Sequence, residues 1–201
     1  MKLLREILYK VEINSVVGNT SLSINKIEFD SRLISDGDMY IAITGVNVDG
    51  HSFISQAIQN GANCIVCEKI PDNKTDGVVY VNVKSSRKAL AIISSNYFDN
   101  PSSKLNLIGV TGTNGKTTIA TLLFDLYTEL EIKSGLISTV KISYDNKNFQ
   151  ANQTTPDSLS INRFLSEMVN SNVRYCFMEV SSHGIDQNRT DGLVFKGGIF
   201  T

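Results

Sequence analysis

The residues with the clearest chemical potential form one glycine-rich run, Gly112-Thr113-Asn114-Gly115-Lys116-Thr117-Thr118. An apolar run, LNLIGV, precedes it and leucines at helical spacing follow it, which is the strand–loop–helix context of a phosphate-binding loop. Glycines let the backbone approach phosphate oxygens, and the N–H groups of the loop and of the helix start supply positive potential. Lys116 is then predicted to reach the β- and γ-phosphates of a nucleotide, and the Thr117 hydroxyl to ligate Mg²⁺. Because Val110 stands where a strict Walker A pattern has its first glycine, a plain glycine-rich turn is the alternative.

A carboxylate and a guanidinium downstream are further candidates. Glu179 ends the apolar run RYCFMEV, and open parallel sheets place their ligands at the carboxyl ends of strands. A carboxylate there offers the hard oxygen that Mg²⁺ prefers, so Lys116 and Glu179 are the candidate catalytic residues. The alternative for Glu179 is a surface acid at a strand end. Arg189 supplies a planar fork suited to carboxylate or phosphate, although an arginine in a polar loop is also often only solvated.

The two histidines and three cysteines fit structural roles better than catalytic ones. His183 is interpreted as an orienting hydrogen-bond partner in preference to a general base, and His51 as a cap for a helix that starts at residue 52. Cys64 and Cys67 lie in a strand-like run, where positions three apart point to opposite faces. They are therefore interpreted as buried, reduced core residues, not as a redox or zinc site.

The elements that must position these residues fall into two groups. Residues 1–100 predict a small mixed α/β domain, with four strand-like runs and helices over 52–60 and 85–98. A short amphipathic helix carrying Leu4, Ile7, Leu8 and Val11 is expected at the amino terminus. The segment 99–104, DNPSSK, is a plausible linker.

Residues 101–201 alternate strands and helices, which predicts a parallel sheet with helices on both faces. The helix after the phosphate loop is expected to pack inward through one stripe, namely Ile119, Leu122, Leu123, Leu126 and Leu130. Another helix is expected to open with Thr155 as N-cap and Pro156 in the first turn. The predicted fold class is thus α/β, a small mixed domain followed by a truncated P-loop domain.

Composition excludes some classes of function. The net charge is −1, from 19 Lys+Arg and 20 Asp+Glu, so no basic surface indicates a nucleic-acid partner. No apolar run approaches the roughly 20 residues that cross a bilayer, so no membrane partner is expected. A cytoplasmic location is the default expectation.

Four segments, in order and spacing, carry a resemblance to a known family. They are FDSR (29–32) with ITGVNVDGHSFI (43–54), TGTNGKTT (111–118), QTTPD (153–157) and MEVSSHGIDQNR (178–189). The chain resembles the Mur ligases over nearly its whole length, in particular the branch that adds the third peptide residue to the muramoyl precursor. The phosphate loop alone is also similar to that of folylpolyglutamate synthetases.

The resemblance implies roles for residues of three kinds. The uridine diphosphate end of the substrate would be lined by Phe29, Ser31, Val46, Asn47 and Val48. ATP would be held by Gly112, Thr113, Asn114, Gly115, Lys116, Thr117 and Thr118, with Mg²⁺ between Thr117 and Glu179. The muramoyl-peptide would be held by Gln153, Thr154, Thr155, Ser181, Gln187 and Arg189.

The resemblance also implies a reaction. A carboxylate of UDP-N-acetylmuramoyl-L-alanyl-D-glutamate would attack the γ-phosphate of ATP, and the amine of an amino acid would displace phosphate from the acyl phosphate to give an amide. Whether that amino acid is lysine or diaminopimelate stays open, as does the oligomeric state. Residues 1–100 would bind the UDP-sugar and residues 101–201 would form part of the ATP-binding domain, with the family's carboxy-terminal domain absent. We therefore expect a fragment that does not ligate alone.

Three alternatives differ in class. A folylpolyglutamate synthetase-like ligase lacks the FDSR-type first domain. A non-catalytic UDP-sugar binding module would bind the UDP-sugar without ATP. A generic P-loop switch would bind nucleotide with no preference for a UDP-sugar.

Overall fold

The computed structural model describes residues 1–45 and 48–201, which divide into two compact units, Met1–Tyr97 and Phe98–Thr201. Val46 and Asn47, both expected to line a uridine site, lie outside the described residues.

The first unit is built on a five-stranded sheet with helices packed against it. Its elements are β1 (Lys2–Leu3), α1 (Leu4–Ile7), β2 (Ile13–Val17), β3 (Ser23–Ile24), β4 (Ile27–Glu28), β5 (Asp38–Ile41), α2 (Ile54–Gln59), β6 (Ala62–Cys67), β7 (Val79–Val83) and α3 (Ser86–Tyr97). The sheet order is β2-β7-β6-β5-β4, in which only β2 runs antiparallel to its neighbour, while β1 and β3 form a separate antiparallel pair. Short 3₁₀ turns lie at Ser31–Leu33 and Gly50–Phe53.

The core of this unit follows the expected apolar pattern. Ile54 and Ala57 of α2 pack on the strand residues Tyr40 and Ile65 in one buried cluster. Cys64 and Cys67 point to opposite faces of β6, and both are fully buried because both faces of this strand are covered. Their thiols are free. The prediction of reduced core cysteines is confirmed.

The second unit is built on a six-stranded sheet. Its elements are β8 (Asn106–Thr111), α4 (Lys116–Glu129), β9 (Ser134–Ile137), β10 (Lys141–Tyr144), β11 (Lys147–Gln150), α5 (Ser158–Asn170), β12 (Tyr175–Glu179), α6 (Ser182–Asp186) and β13 (Gly197–Phe200), after a 3₁₀ turn at Pro101–Ser103. The order is β11-β10-β9-β12-β8-β13. The strands β9, β12, β8 and β13 are parallel, and the hairpin of β10 and β11 extends the sheet antiparallel to β9.

Helices cover both faces of this sheet. Neighbouring residues of one strand therefore pack into different buried clusters. Phe177 of β12 packs with Ala120 of α4, whereas its neighbour Met178 packs with Ile161 and Leu165 of α5. The predicted α/β class, with a sheet covered on both faces, is confirmed.

Three local predictions were wrong. The stripe on α4 divides, because Ile119 and Leu123 pack on the sheet while Leu122, Leu126 and Leu130 are each more than half exposed. At about 100° per residue the side of α4 that faces the sheet is centred between Leu123 and Phe124, with Ala120 and Tyr127 also on it. Leu122 and Leu126 lie roughly 90° or more to one side of that centre, and Leu130 is the C-cap, after the last residue of the helix.

The second error is the start of α5. The helix begins at Ser158, and its N-cap is Asp157, whose carboxylate accepts a hydrogen bond from Ser160 N. Thr155 is not the cap; it is buried, and its hydroxyl is bonded elsewhere. The third error is the amino-terminal helix, which is α1 alone and ends at Ile7, although Leu4 and Ile7 are buried as expected.

None of the helices in the described ranges has the length and apolarity needed to span a membrane.

Candidate functional site

The phosphate loop is a tight connection between β8 and α4. Val110 is fully buried in β8, which continues to Thr111, so the loop is shorter than a strict Walker A loop. The backbone turns through positive φ values at Gly112 (135°) and Gly115 (82°), a region that non-glycine side chains rarely adopt. A Cβ at Gly112 would lie 2.0 Å from the carbonyl oxygen of Thr201, so only glycine fits there.

Lys116 is the first residue of α4 and folds back over the loop. Its Nζ donates hydrogen bonds to the carbonyl oxygens of Gly112 (2.8 Å) and Thr113 (3.3 Å). The regular hydrogen bonds of the helix begin at its N-cap, since Ile119 N donates to Gly115 O at 2.9 Å. The ammonium and the amino-terminal end of a 14-residue helix therefore lie at the same loop, which concentrates positive potential there.

Glu179 is a buried carboxylate, not a surface acid. It ends β12 with no exposed surface, and its Oε2 accepts a hydrogen bond from the Thr117 hydroxyl at 3.0 Å. The structure therefore brings together Thr117 and Glu179, the two residues expected to ligate Mg²⁺. Within the described residues no group of three or more His, Cys, Asp or Glu side chains is placed to hold a metal. One carboxylate beside a hydroxyl still fits Mg²⁺, because this ion keeps several waters and takes other ligands from phosphates.

The predicted muramoyl-peptide residues form a second cluster that adjoins Glu179 along the chain. The Thr155 hydroxyl donates to Glu179 O at 3.0 Å and accepts from Ser181 N at 2.9 Å. Ser181 in turn caps α6 by accepting from Gly184 N. A Cβ at Gly184 would lie 2.8 Å from the Thr155 side chain, so the two segments pack closely.

Arg189 closes this cluster. Its guanidinium donates to the Gln153 side chain, the Thr155 carbonyl oxygen and Gln187 Oε1. Five of the six predicted residues are thus joined by hydrogen bonds: Gln153, Thr155, Ser181, Gln187 and Arg189 are brought together around the end of β12. Thr154 adjoins Thr155 in the same segment.

In the first unit the predicted uridine residues differ in exposure. Phe29 is 37% exposed and Val48 is 58% exposed, whereas Ser31 is buried. The Ser31 hydroxyl donates to Gln56 Oε1 at 3.0 Å, and its carbonyl oxygen accepts from Asn60 at 2.8 Å. Ser31 therefore fixes its 3₁₀ turn to the end of α2.

The expectation that His51 caps a helix starting at residue 52 is wrong: the N-cap is Asp49, and it caps the 3₁₀ turn Gly50–Phe53 that precedes α2. Asp49 accepts from His51 N at 3.0 Å and contacts His51 Nδ1 at 2.7 Å, and hydrogen bonds from the His51 backbone and ring lower the pKa of Asp49. His51 Nε2 accepts from Glu68 N at 2.9 Å. His51 thus ties Asp49 to the residue that follows β6. His183, the other histidine, is exposed on α6.

Comparison with known proteins decides the family. The Mur ligase middle domain matches residues 110–201, and the model described as "Mur ligase family, catalytic domain" matches residues 23–98. The chain belongs to the Mur ligase family. Mur ligases are ATP-dependent ligases.

Several relatives match nearly the whole chain. A UDP-N-acetylmuramoyl-L-alanyl-D-glutamate–2,6-diaminopimelate ligase of Cytophaga hutchinsonii is 49% identical over 98% of this chain, and that of Bacteroides thetaiotaomicron is 45% identical over 99%. This Mur ligase chain spans 41% of the length of each of these relatives.

Solved structures agree with the fold. A structure of a UDP-N-acetylmuramoyl-L-alanyl-D-glutamate–2,6-diaminopimelate ligase matches all of this chain and 40% of its own, with a TM-score of 0.79 at 22% identity. The MurF ligase of Thermotoga maritima, in complex with ADP, matches 78% of this chain and 32% of its own, with a TM-score of 0.53 at 25% identity.

One residue of this Mur ligase site was missed by sequence reasoning. Thr139 lies between β9 and β10, and its backbone N–H and its hydroxyl both donate to Glu179. No glycine pattern or periodicity marks this threonine, because its position depends on how two non-adjacent segments meet at the end of the sheet.

Proposed function

We propose that this chain forms the UDP-sugar-binding and nucleotide-binding part of an ATP-dependent ligase that joins 2,6-diaminopimelate to UDP-N-acetylmuramoyl-L-alanyl-D-glutamate. The names of relatives that are 49% and 45% identical over nearly the whole chain support this choice of substrates over lysine. Since ATP and nucleotide sugars are cytoplasmic metabolites, we also propose a cytoplasmic location for the reaction.

The observation that carries the nucleotide site is the contact between Thr117 and buried Glu179 beside the glycine loop. Bound ATP would supply the phosphoryl group that activates a substrate carboxylate. Lys116 and the start of α4 would stabilise negative charge on the transferring group, which is the main requirement of phosphoryl transfer. Thr117 and Glu179 would each give Mg²⁺ one oxygen ligand.

The cluster around Arg189 is proposed to hold the muramoyl-peptide. Arg189 is a planar donor suited to a carboxylate, and it is already oriented by Gln153 and Gln187. The Thr155 hydroxyl is buried in contacts with Glu179 and Ser181, so its contribution is to hold this segment beside the metal-binding carboxylate. A peptide bound there would present its carboxylate toward the phosphate loop.

The uridine end is proposed to bind the first unit near Phe29, Ser31 and Val48, together with Val46 and Asn47, which precede Val48 in the sequence. Phe29 and Val48 expose apolar surface on which a base can pack. Ser31 supports the 3₁₀ turn beside them through Gln56.

Binding of Mg-ATP to Lys116→Ala, beside the unchanged chain, tests the nucleotide site by isothermal titration. We expect at least a tenfold loss of affinity in Lys116→Ala, because the ammonium no longer faces the phosphates. The matched control is Lys104→Ala, which removes an exposed lysine of the same unit and should bind as the unchanged chain does. Equal affinity of Lys116→Ala and the unchanged chain would contradict the site, as would a folded unchanged chain that does not bind Mg-ATP.

A further inference from the structure

The turn between β9 and β10 reaches over to the proposed metal-binding carboxylate. Thr139 N donates to Glu179 Oε1 at 2.8 Å, and Thr139 Oγ1 donates to Glu179 Oε2 at 3.1 Å. One residue therefore bonds both carboxylate oxygens. Oε2 is shared with the Thr117 hydroxyl, so the end of β12, the start of α4 and this turn meet at a single atom.

The turn that carries Thr139 is held by its neighbour Ser138. Ser138 is fully buried; its hydroxyl donates to Lys141 O at 2.9 Å and accepts from Val140 N and Lys141 N. Ser138 N also donates to Lys141 O, at 3.0 Å. The backbone on both sides of Thr139 is thus fixed before any ligand binds, as precise positioning of a ligand-binding group requires.

Among the described residues, no lysine, arginine or histidine forms an ion pair with Glu179. Its side-chain partners among the described residues are three neutral donors: Thr139 N, Thr139 Oγ1 and Thr117 Oγ1. A buried carboxylate without a cationic partner is costly, which favours binding of a cation at this position. Neutral donors fix the carboxylate without neutralising it, and so leave its charge for a metal ion.

We infer that Thr139 is a positioning residue that orients Glu179 toward Thr117 and thereby sets the affinity of the nucleotide site for Mg²⁺. This inference rests on the proposed nucleotide site. A glutamate side chain has three rotatable bonds, and the two hydrogen bonds from Thr139 restrict the last of them to one plane. Residues that orient a metal ligand are expected to matter nearly as much as the ligand itself.

A merely structural role predicts something different. Thr139 is exposed at the surface of the turn, and the turn is held by Ser138, so loss of the Thr139 hydroxyl should cost little stability. A structural residue would lower the melting temperature and weaken nucleotide binding to the same extent with and without metal. Loss of a positioning residue instead raises the Mg²⁺ concentration needed for nucleotide binding and leaves binding without metal unchanged.

The test compares Thr139→Val, Thr139→Ser and Val140→Ala with the unchanged chain. Thr139→Val keeps the shape and the backbone N–H but removes the hydroxyl; Thr139→Ser restores a hydroxyl. Val140→Ala is the matched control, since Val140 lies in the same turn and is 66% exposed. ADP binding is measured by isothermal titration over a series of Mg²⁺ concentrations and in EDTA, and folding is checked by circular dichroism and thermal melting.

We expect the Mg²⁺ concentration for half-maximal ADP binding to rise roughly tenfold in Thr139→Val and to stay within about twofold of the unchanged chain in Thr139→Ser and Val140→Ala. Binding in EDTA should be the same in all four. If Thr139→Val keeps the Mg²⁺ dependence of the unchanged chain, or loses ADP binding equally in EDTA, the inference is overturned while the nucleotide site stands. If the folded, unchanged chain does not bind Mg-ADP, the proposed function fails and the inference fails with it.

Discussion

At the scale of single residues, the candidate site was predictable wherever a local pattern marked it. Lys116 and Thr117 follow from the glycine run, and Glu179 from its place at a strand end. Thr139 could not be found this way, because its two hydrogen bonds to Glu179 join segments 40 residues apart. The role of the Thr155 side chain was likewise hidden, since a Thr-Pro pair is typical of a helix start but here packs under the end of β12.

The cysteines provide a prediction at this scale. Burial raises the pKa of Cys67 to about 11, and burial also raises the pKa of Cys64 and Cys176. The thiolate is the reactive form, so at pH 8 only about one Cys67 thiol in a thousand is reactive, and burial also blocks access. We expect no alkylation of the native chain by iodoacetamide at pH 8 within an hour, and complete alkylation of all three cysteines in guanidinium, measured by mass spectrometry.

Rapid alkylation of Cys67 in the native chain would show that β6 is not the buried strand described. A rise in native labelling as the pH approaches 11 is expected, because the thiolate fraction increases as the pH rises toward the pKa.

At the scale of elements, the long strands and helices were predictable, and the ends of α3 were predicted to within one residue, whereas the start of α5 was not. The hairpin of β10 and β11 was missed, although a usable pattern was present. Its two-residue turn is Asp145-Asn146, and both residues adopt positive φ (47° and 60°), as a type I′ hairpin turn requires. Gly is more usual at the second position, which made the pair less conspicuous.

The start of α5 supplies a test of an element boundary. Asp157 accepts from Ser160 N at 2.8 Å and from the Ser160 hydroxyl at 2.7 Å. Asp157→Ala removes the N-cap acceptor and should lower the free energy of unfolding of the second unit by about 1 kcal/mol. Asp157→Asn keeps an oxygen acceptor and should retain most of the stability.

Urea unfolding followed by circular dichroism measures both variants, and amide exchange in the first turn of α5 locates the change. An Asp157→Ala chain that unfolds at the same urea concentration as the unchanged chain would mean that another residue caps this helix.

At the scale of the whole molecule, each unit carries its own predicted ligand surface. The first unit contains the residues proposed for uridine, and the second contains the phosphate loop, Glu179 and the Arg189 cluster. The division into a small mixed unit and a P-loop unit was predictable from the sequence, because the linker-like segment 99–104 is followed by regular strand–helix alternation. The choice of diaminopimelate over lysine did not follow from these residues; it rests on the names of relatives that are more than twice as long as this chain.

The central claim is most directly tested by titration of the chain with UDP-N-acetylmuramoyl-L-alanyl-D-glutamate, with and without Mg-ATP. We predict saturable binding of one molecule per chain, weakened several-fold by Ser31→Ala, because the 3₁₀ turn beside Phe29 loses its hydrogen bond to Gln56. The matched control Ser35→Ala removes an exposed serine hydroxyl and should leave the affinity unchanged. A folded chain that shows no binding of this UDP-sugar under either condition would contradict the account.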